Sequence, residues 1–253
     1  MIPLKDSVPT ERTPWLTIAL IVANVIVYFV LQKGGILSGP KESTVIDYGA
    51  IPYEITHPGN ECVASGEQIV CGDASQIGSD QPATWITVFT SMFMHGSILH
   101  LGGNMLFLWI FGNNIEDSMS KIRFLLFYVL GGLAALALQT VVEPNAAVPT
   151  VGASGAIAAV LGGYVLRFPQ ARVITVIFII FFFTIVELPA LLVLGLWFLQ
   201  QVIFGYLDWA APAGGGGGVA YFAHIGGFVF GMAAIGVFAQ RRKSAPPRRM
   251  ALR

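Results

Sequence analysis

VITVIFIIFFFTIVELPALLVLGLWFLQQVIFGYL, Val173 to Leu207, is too long for one membrane crossing and short of two comfortable ones, a crossing needing about 20 residues. Counting it once or twice changes the side of the membrane on which everything after it lies. A residue on each side of the stretch decides the count. Upstream, VGASGAIAAVLGGY (Val151 to Tyr164) carries Ser154 between small residues; downstream, VAYFAHIGGFVFGMAAIGVFA (Val219 to Ala239) carries His224. Ser154 lies about three residues into its helix and His224 about five or six into the other, so both fall roughly 5 to 8 Å below one face at 1.5 Å per residue. They meet only if an odd number of crossings separates their helices. Val173 to Val186, rich in Val, Ile and Phe, is therefore expected as an interfacial or re-entrant piece, and Leu188 to Leu207 as a single crossing, the fifth. Non-helical backbone at membrane depth needs cover from protein.

The rest of the chain agrees with such a count. Of its 253 residues 55% are hydrophobic and 11% charged, and the mean hydropathy is +0.72, which excludes an ordinary soluble domain and indicates a polytopic membrane protein. The 14 basic and 14 acidic residues cancel in sum but are segregated in position. Residues 1–14 form a polar tail, and Trp15 to Gln32 is an uncharged span with aromatics near both ends, read as a retained anchor rather than a cleaved signal. Residues 33–84 are acidic and rich in Gly, Pro and Ser, a composition that belongs outside the cytoplasm. Cys62 and Cys71 lie there, either bridged or as two free thiols in a mobile loop.

Trp85 to Asp117 supplies the second span and Phe124 to Val142 the third. Glu143 to Thr150 is an outer loop from which the Ser154 helix descends, closed on the inside by Arg167 and Arg172. Asp208 to Gly218 ends in five glycines, a stretch able to act as a mobile cap. Arg241, Arg242, Lys243, Arg248, Arg249 and Arg253 follow the last span without an acid. That puts the C-terminus inside, and six spans put the N-terminus inside too. The expectation is an all-α, six-helix membrane domain over residues 15–240, flanked by cytoplasmic tails 1–14 and 241–253. No footprint for nucleic acid is present.

Small residues in a membrane helix often serve only to let a neighbour approach. Ser154 asks for more because three of the four histidines, His95, His100 and His224, lie in or beside apolar segments, where an ionisable group is costly and commonly functional. A serine hydroxyl needs a base, and neutral imidazole is the usual one near pH 7. His224 is the candidate. No carboxylate lies in the outer half of any span, so a Ser–His dyad is expected rather than a triad. His100 and Asn104 are four apart and share one helix face. Either one alone could simply bridge two helices; together with the Ser154 N–H they form a donor set for a developing oxyanion. Gly102 and Gly103 would allow a neighbouring helix to come close, and Gly227 with Gly231 forms a GxxxG face for packing on the Ser154 helix.

GASG at Gly152–Gly155, HLGGN at His100–Asn104, GNNIED at Gly112–Asp117 and AHIGGFVFG at Ala223–Gly231 resemble, in the same order, the motifs of the rhomboid intramembrane serine proteases. The resemblance covers about Trp85 to Phe238. It implies a six-transmembrane-helix bundle with a water-filled cavity, acting on membrane-spanning protein substrates near small residues, with Ser154 as nucleophile, His224 as general base, and His100 and Asn104 as the oxyanion hole. His95 matches a histidine frequent in the family. No cofactor or metal is implied. The location expected is the plasma (inner) membrane, the lipid bilayer itself being a partner. Two positions depart from the family pattern: Ala158 stands where an aromatic ring often supports the catalytic histidine, and Trp85–Ile86 stands where a Trp–Arg pair is common. The competing classes are a protease-dead relative that binds membrane clients, and a channel or transporter relaying protons through buried histidines.

Overall fold

A computed structural model describes residues 1–66, 68–77, 80–179, 182–211 and 218–240. In chain order the elements are β1 (Ile2–Asp6), α1 (Trp15–Ile26) with a π turn at Val27–Leu31, α2 (Glu42–Tyr48), α3 (Pro52–Thr56), β2 (Asn60–Ser65), β3 (Gln68–Asp73) and α4 (Ala74–Ile77). There follow α5 (Thr84–Thr90), α6 (Ile98–Phe107), a π turn at Leu108–Gly112, α7 (Asn113–Asp117), α8 (Lys121–Val142), α9 (Ser154–Arg167), β4 (Arg172–Ile179), β5 (Phe182–Pro189), α10 (Ala190–Trp209) and α11 (Tyr221–Phe238). Most of the glycine run and the basic tail, residues 212–217 and 241–253, lie outside the described residues.

The core is built around α9, in which every residue from Gly155 to Val165 is buried. Small residues bring α8 and α11 against it. A Cβ at Gly231 would overlap the Ala159 carbonyl, one at Gly227 the Gly155 carbonyl, one at Gly162 the Phe228 carbonyl, and one at Gly131 the Ala159 methyl. Lipid offers no hydrophobic drive between helices, so backbone-to-backbone van der Waals contact of this kind is what holds them. The GxxxG face of α11 does meet the Ser154 helix. Gly102 and Gly103 do not behave as expected: a Cβ at either would meet nothing within 4 Å, because no helix crosses α6 there.

The expectation of an all-α chain is corrected by a three-stranded antiparallel sheet ordered β1–β4–β5. Val173 to Val186, expected as an interfacial or re-entrant piece, lies in the strands β4 and β5. It forms a hairpin in which Arg172 opposes Pro189 and Thr175 opposes Val186, while its first strand pairs with the N-terminal residues, Ile2 opposite Val176 and Asp6 opposite Val173. The physical reason is that β-branched and aromatic side chains favour the pleated surface, and pairing on both sides of β4 satisfies its backbone. Residues 1–14 are accordingly more than a tail, and Arg172 belongs to β4, where it pairs with Glu187 at 2.9 Å, rather than closing α9.

GNNIED clamps this end of the molecule. Glu116 accepts from the Leu16 and Thr17 N–H groups at 3.0 and 2.7 Å and from the Thr17 hydroxyl at 2.8 Å, satisfying donors that the start of α1 cannot pair internally. Asp6 accepts from Asn114 Nδ2 and from the Tyr164 hydroxyl, both at 2.6 Å.

Among the described residues three helices, α8, α10 and α11, are long and apolar enough to cross a membrane; the apolar helices at Trp15–Leu31, Thr84–Phe93 and Ser154–Arg167 are shorter. Length alone therefore supports three of the six expected crossings. Trp85 to Asp117 is not one helix, since it breaks between Phe93 and Ile98. The stretch 33–84 is an ordered lobe. β2 and β3 pair Cys62 directly opposite Cys71, the two are disulfide-bonded, and Ile46, Ile51 and Cys62 form a small core with Tyr53 and Ile69.

Candidate active site

The lobe reaches the segment before Ser154 through backbone bonds. Tyr53 N–H donates to Ala146 O at 3.1 Å, Ala50 and Thr150 exchange two bonds at 3.2 and 2.8 Å, and Gly152 N–H donates to Ser91 O at 2.9 Å. These bonds hold the irregular strand that delivers Ser154, whose backbone could not otherwise be satisfied in an apolar setting. Gly152 has φ +128°, a conformation only glycine adopts readily. Its missing side chain has a second use: a Cβ there would lie 2.9 Å from the His100 ring and 3.4 Å from Ser154 Oγ. The gap between those two groups is thus kept open.

Ser154 is the first residue of α9, so its N–H is among those with no acceptor inside the helix and lies at the positive end of the dipole. Its Oγ is 2.8 Å from His224 Nε2. His224 is held from three sides. Gln139 of α8 accepts from the Ala223 N–H at 3.1 Å, pinning the first turn of α11. From α10, Gln201 Oε1 lies 2.8 Å from His224 Nδ1, and the Trp197 ring lies 5.7 Å from the imidazole, centroid to centroid. Ala158 is fully buried, and a Cβ at Gly227 would be 3.1 Å from its methyl, so this interface has no room for an aromatic ring at position 158. α10 supplies the support instead.

Asn104 is held by His95. His95 Nδ1–H donates to Phe93 O at 3.3 Å, leaving Nε2 to accept from Asn104 Nδ2 at 2.9 Å. The loop carrying His95 is itself locked, since Gln32 donates to the His95 carbonyl and accepts from its N–H, both at 2.9 Å. Asn104 has a second amide hydrogen to offer. His100 stands edge-on to His95, with centroids 5.1 Å apart, and its helix is started by Ser97, whose Oγ accepts the His100 N–H at 3.1 Å.

Ser154, His224, His100 and Asn104 all line one open cavity of about 490 Å³, with Gly103, Trp197 and Val219 on its other walls. The four residues picked from the sequence are brought together. Gln139, Gln201 and Trp197 were missed; the available signal was that a glutamine within an apolar span must find a partner. Among the described residues no group of His, Cys, Asp and Glu is arranged to hold a metal ion.

Residues 82–241 match the Rhomboid domain family model. The chain belongs to the rhomboid family. Among its relatives, rhomboid protein 1, mitochondrial, of Saccharomyces cerevisiae is 30% identical over 159 residues, covering 60% of this chain and 42% of that protein. The rhomboid protease GluP of Bacillus subtilis is 28% identical over 149 residues, covering 59% of this chain and 24% of that one. Presenilin-associated rhomboid-like protein A, mitochondrial, of Danio rerio is 30% identical over 151 residues, covering 58% and 36%. The match thus spans less than half the length of each relative. Membership of the rhomboid family makes this an integral membrane protein. The expected plasma-membrane location draws no support from these relatives, two of which are named as mitochondrial.

Proposed function

We propose that this rhomboid protein is an intramembrane serine endopeptidase, hydrolysing peptide bonds in or near the transmembrane segments of other membrane proteins. The observation that carries the proposal is the 2.8 Å contact between Ser154 Oγ and His224 Nε2 at the wall of an open cavity. The hydroxyl donates its hydrogen to the neutral imidazole; as Oγ attacks the substrate carbonyl carbon, that proton passes to Nε2. Negative charge on the carbonyl oxygen is met by the Ser154 N–H, the second Asn104 amide hydrogen and the His100 ring. His224 then protonates the leaving amine, and water, activated by the same imidazole, cleaves the acyl-enzyme.

Six crossings fit this chemistry: α1, the α6–α7 rod, α8, α9, α10 and α11, with residues 15–240 as the membrane domain and both tails on the cytoplasmic side. α9 has 14 residues, about 21 Å at 1.5 Å each, against a hydrocarbon core of about 30 Å. A short helix starting below the outer surface places Ser154 at depth while its approach strand is held by the disulfide-bonded lobe. A channel would need a polar path along the whole bundle, and the other end of α9 is occupied by the Tyr164–Asp6 contact.

The test is cleavage of a generic single-span substrate in detergent, with fluorophosphonate labelling in parallel. Wild type is expected to cleave and to label, and Ser154→Ala to do neither while retaining its melting temperature. Equal cleavage by the two proteins rejects the proposal.

A further inference from the structure

We infer that Gln201 is a positioning residue that selects the reactive tautomer of His224, turning the Ser–His pair into a Ser–His–Gln relay. The inference rests on the protease reading above. Gln201 is 5% exposed in the middle of α10, a place where a polar side chain is costly unless it is engaged. Its amide is oriented by two contacts. Nε2 donates to the Trp197 carbonyl at 3.3 Å, an atom that can only accept, so the other amide atom, Oε1, is the one that faces His224 Nδ1 at 2.8 Å. Oε1 is likewise only an acceptor. Nδ1 must therefore carry the ring hydrogen, and a neutral imidazole with its hydrogen on Nδ1 presents a lone pair at Nε2. That lone pair is 2.8 Å from Ser154 Oγ. In the alternative tautomer Nε2 would bear the hydrogen and could not take the serine's proton.

The arrangement differs from a carboxylate-based triad in a way that suits an apolar setting. An amide fixes the ring and its hydrogen without placing a buried negative charge in the bundle, where an ion pair must overcome a large desolvation cost. Because Gln201 and Trp197 lie one turn apart on α10, a single helix both orients the ring through its edge and covers it from the side.

The experiment compares wild type, Gln201→Leu and Gln201→Glu. Gln201→Leu keeps the bulk and removes the acceptor; kcat is expected to fall about 10- to 100-fold, the scale of one buried hydrogen bond, with KM unchanged. Gln201→Glu restores an oxygen at the same place and is expected to recover most of that loss. In ¹⁵N spectra of histidine-labelled protein, the His224 ring of wild type shows hydrogen on Nδ1, and Gln201→Leu shifts the population towards Nε2. Wild-type kcat in Gln201→Leu overturns the inference, as does a change confined to KM or a Gln201→Glu protein no more active than Gln201→Leu. Should wild type itself show no Ser154-dependent cleavage, the protease reading fails instead, and the ¹⁵N spectra still decide whether Gln201 sets the tautomer.

Discussion

The two ends of α9 both carry a polar side chain bonded to a titratable partner from a distant part of the chain, yet they do opposite things with it. At one end Ser154 Oγ meets His224 beside a cavity of about 490 Å³. At the other the Tyr164 hydroxyl meets Asp6, which also takes a hydrogen bond from Asn114, and Tyr164 and Asn114 are at most 1% exposed. Burial pushes the Asp6 carboxyl up to about 6 against the pull of that hydroxyl. The closed cluster directs its hydrogens into the fold. The open one lies at the wall of that cavity, which Asn104 and His100 also line. Polarity is enclosed at one end of α9 and reached by a cavity at the other, and on the proposed function only the second does chemistry.

The sharpest way to break this contrast is at the base. His224→Ala is expected to lower turnover by on the order of 10⁴-fold or more while the protein still folds, and the Ser154→Ala/His224→Ala double variant to be no worse than either single one, since the proposed dyad acts as a unit. Strictly additive losses in a cleavage assay contradict the shared proton transfer.

Gly231→Val attacks the middle of α9 rather than either end. A side chain there overlaps the Ala159 carbonyl, so about 3 kcal/mol of stability or more is expected to go, together with activity, as α11 and His224 are forced away. Thermal unfolding with cleavage measured in parallel checks it; an unchanged melting curve contradicts the packing. Asn104→Ala removes one of the proposed oxyanion donors and is expected to lower kcat about 10²-fold, a loss visible in kcat rather than KM.

The closed end should respond in the reverse sense. Asp6→Ala leaves two buried donors without their acceptor, at about 1–3 kcal/mol, while turnover per folded molecule stays at the wild-type level. A selective loss of kcat would show that the two ends are coupled.

The smallest effect concerns the disulfide-bonded lobe. Glu54, 3% exposed on α3, accepts the Cys62 N–H at 2.8 Å, and burial lifts its carboxyl from 4.5 to about 7. Between those values the folded protein holds a proton that the unfolded chain has shed, so this contribution is complete below about 4.5 and is lost as pH rises through about 7. Wild type is expected to melt at a lower temperature at pH 8 than at pH 5, and Glu54→Gln to flatten that slope. An identical slope in the variant assigns the pH dependence to other groups.

The membrane class, the helix that pairs His100 with Asn104, and the glycines that seat α11 on α9 were legible in the linear chain because each depends on near neighbours or on average polarity. Helical spacing places residues four apart on one face whatever surrounds them, and small residues at that spacing mark a close approach. Three features were decided only in three dimensions. The hairpin of β4 and β5 became part of a three-stranded sheet because β1, more than 160 residues earlier by the pairing of Ile2 with Val176, supplies backbone partners that no local pattern announces. Cys62 and Cys71 stood either bridged or free until the register of β2 on β3 set them directly opposite. Gln201 follows Gln200 in an apolar run, and the two point about 100° apart on a helix; only the rotation of α10 against α11 buries one on His224 and leaves the other exposed. Composition and periodicity act locally and so can be read from the chain, whereas strand partners, register and helix rotation are set by contacts between segments far apart in sequence.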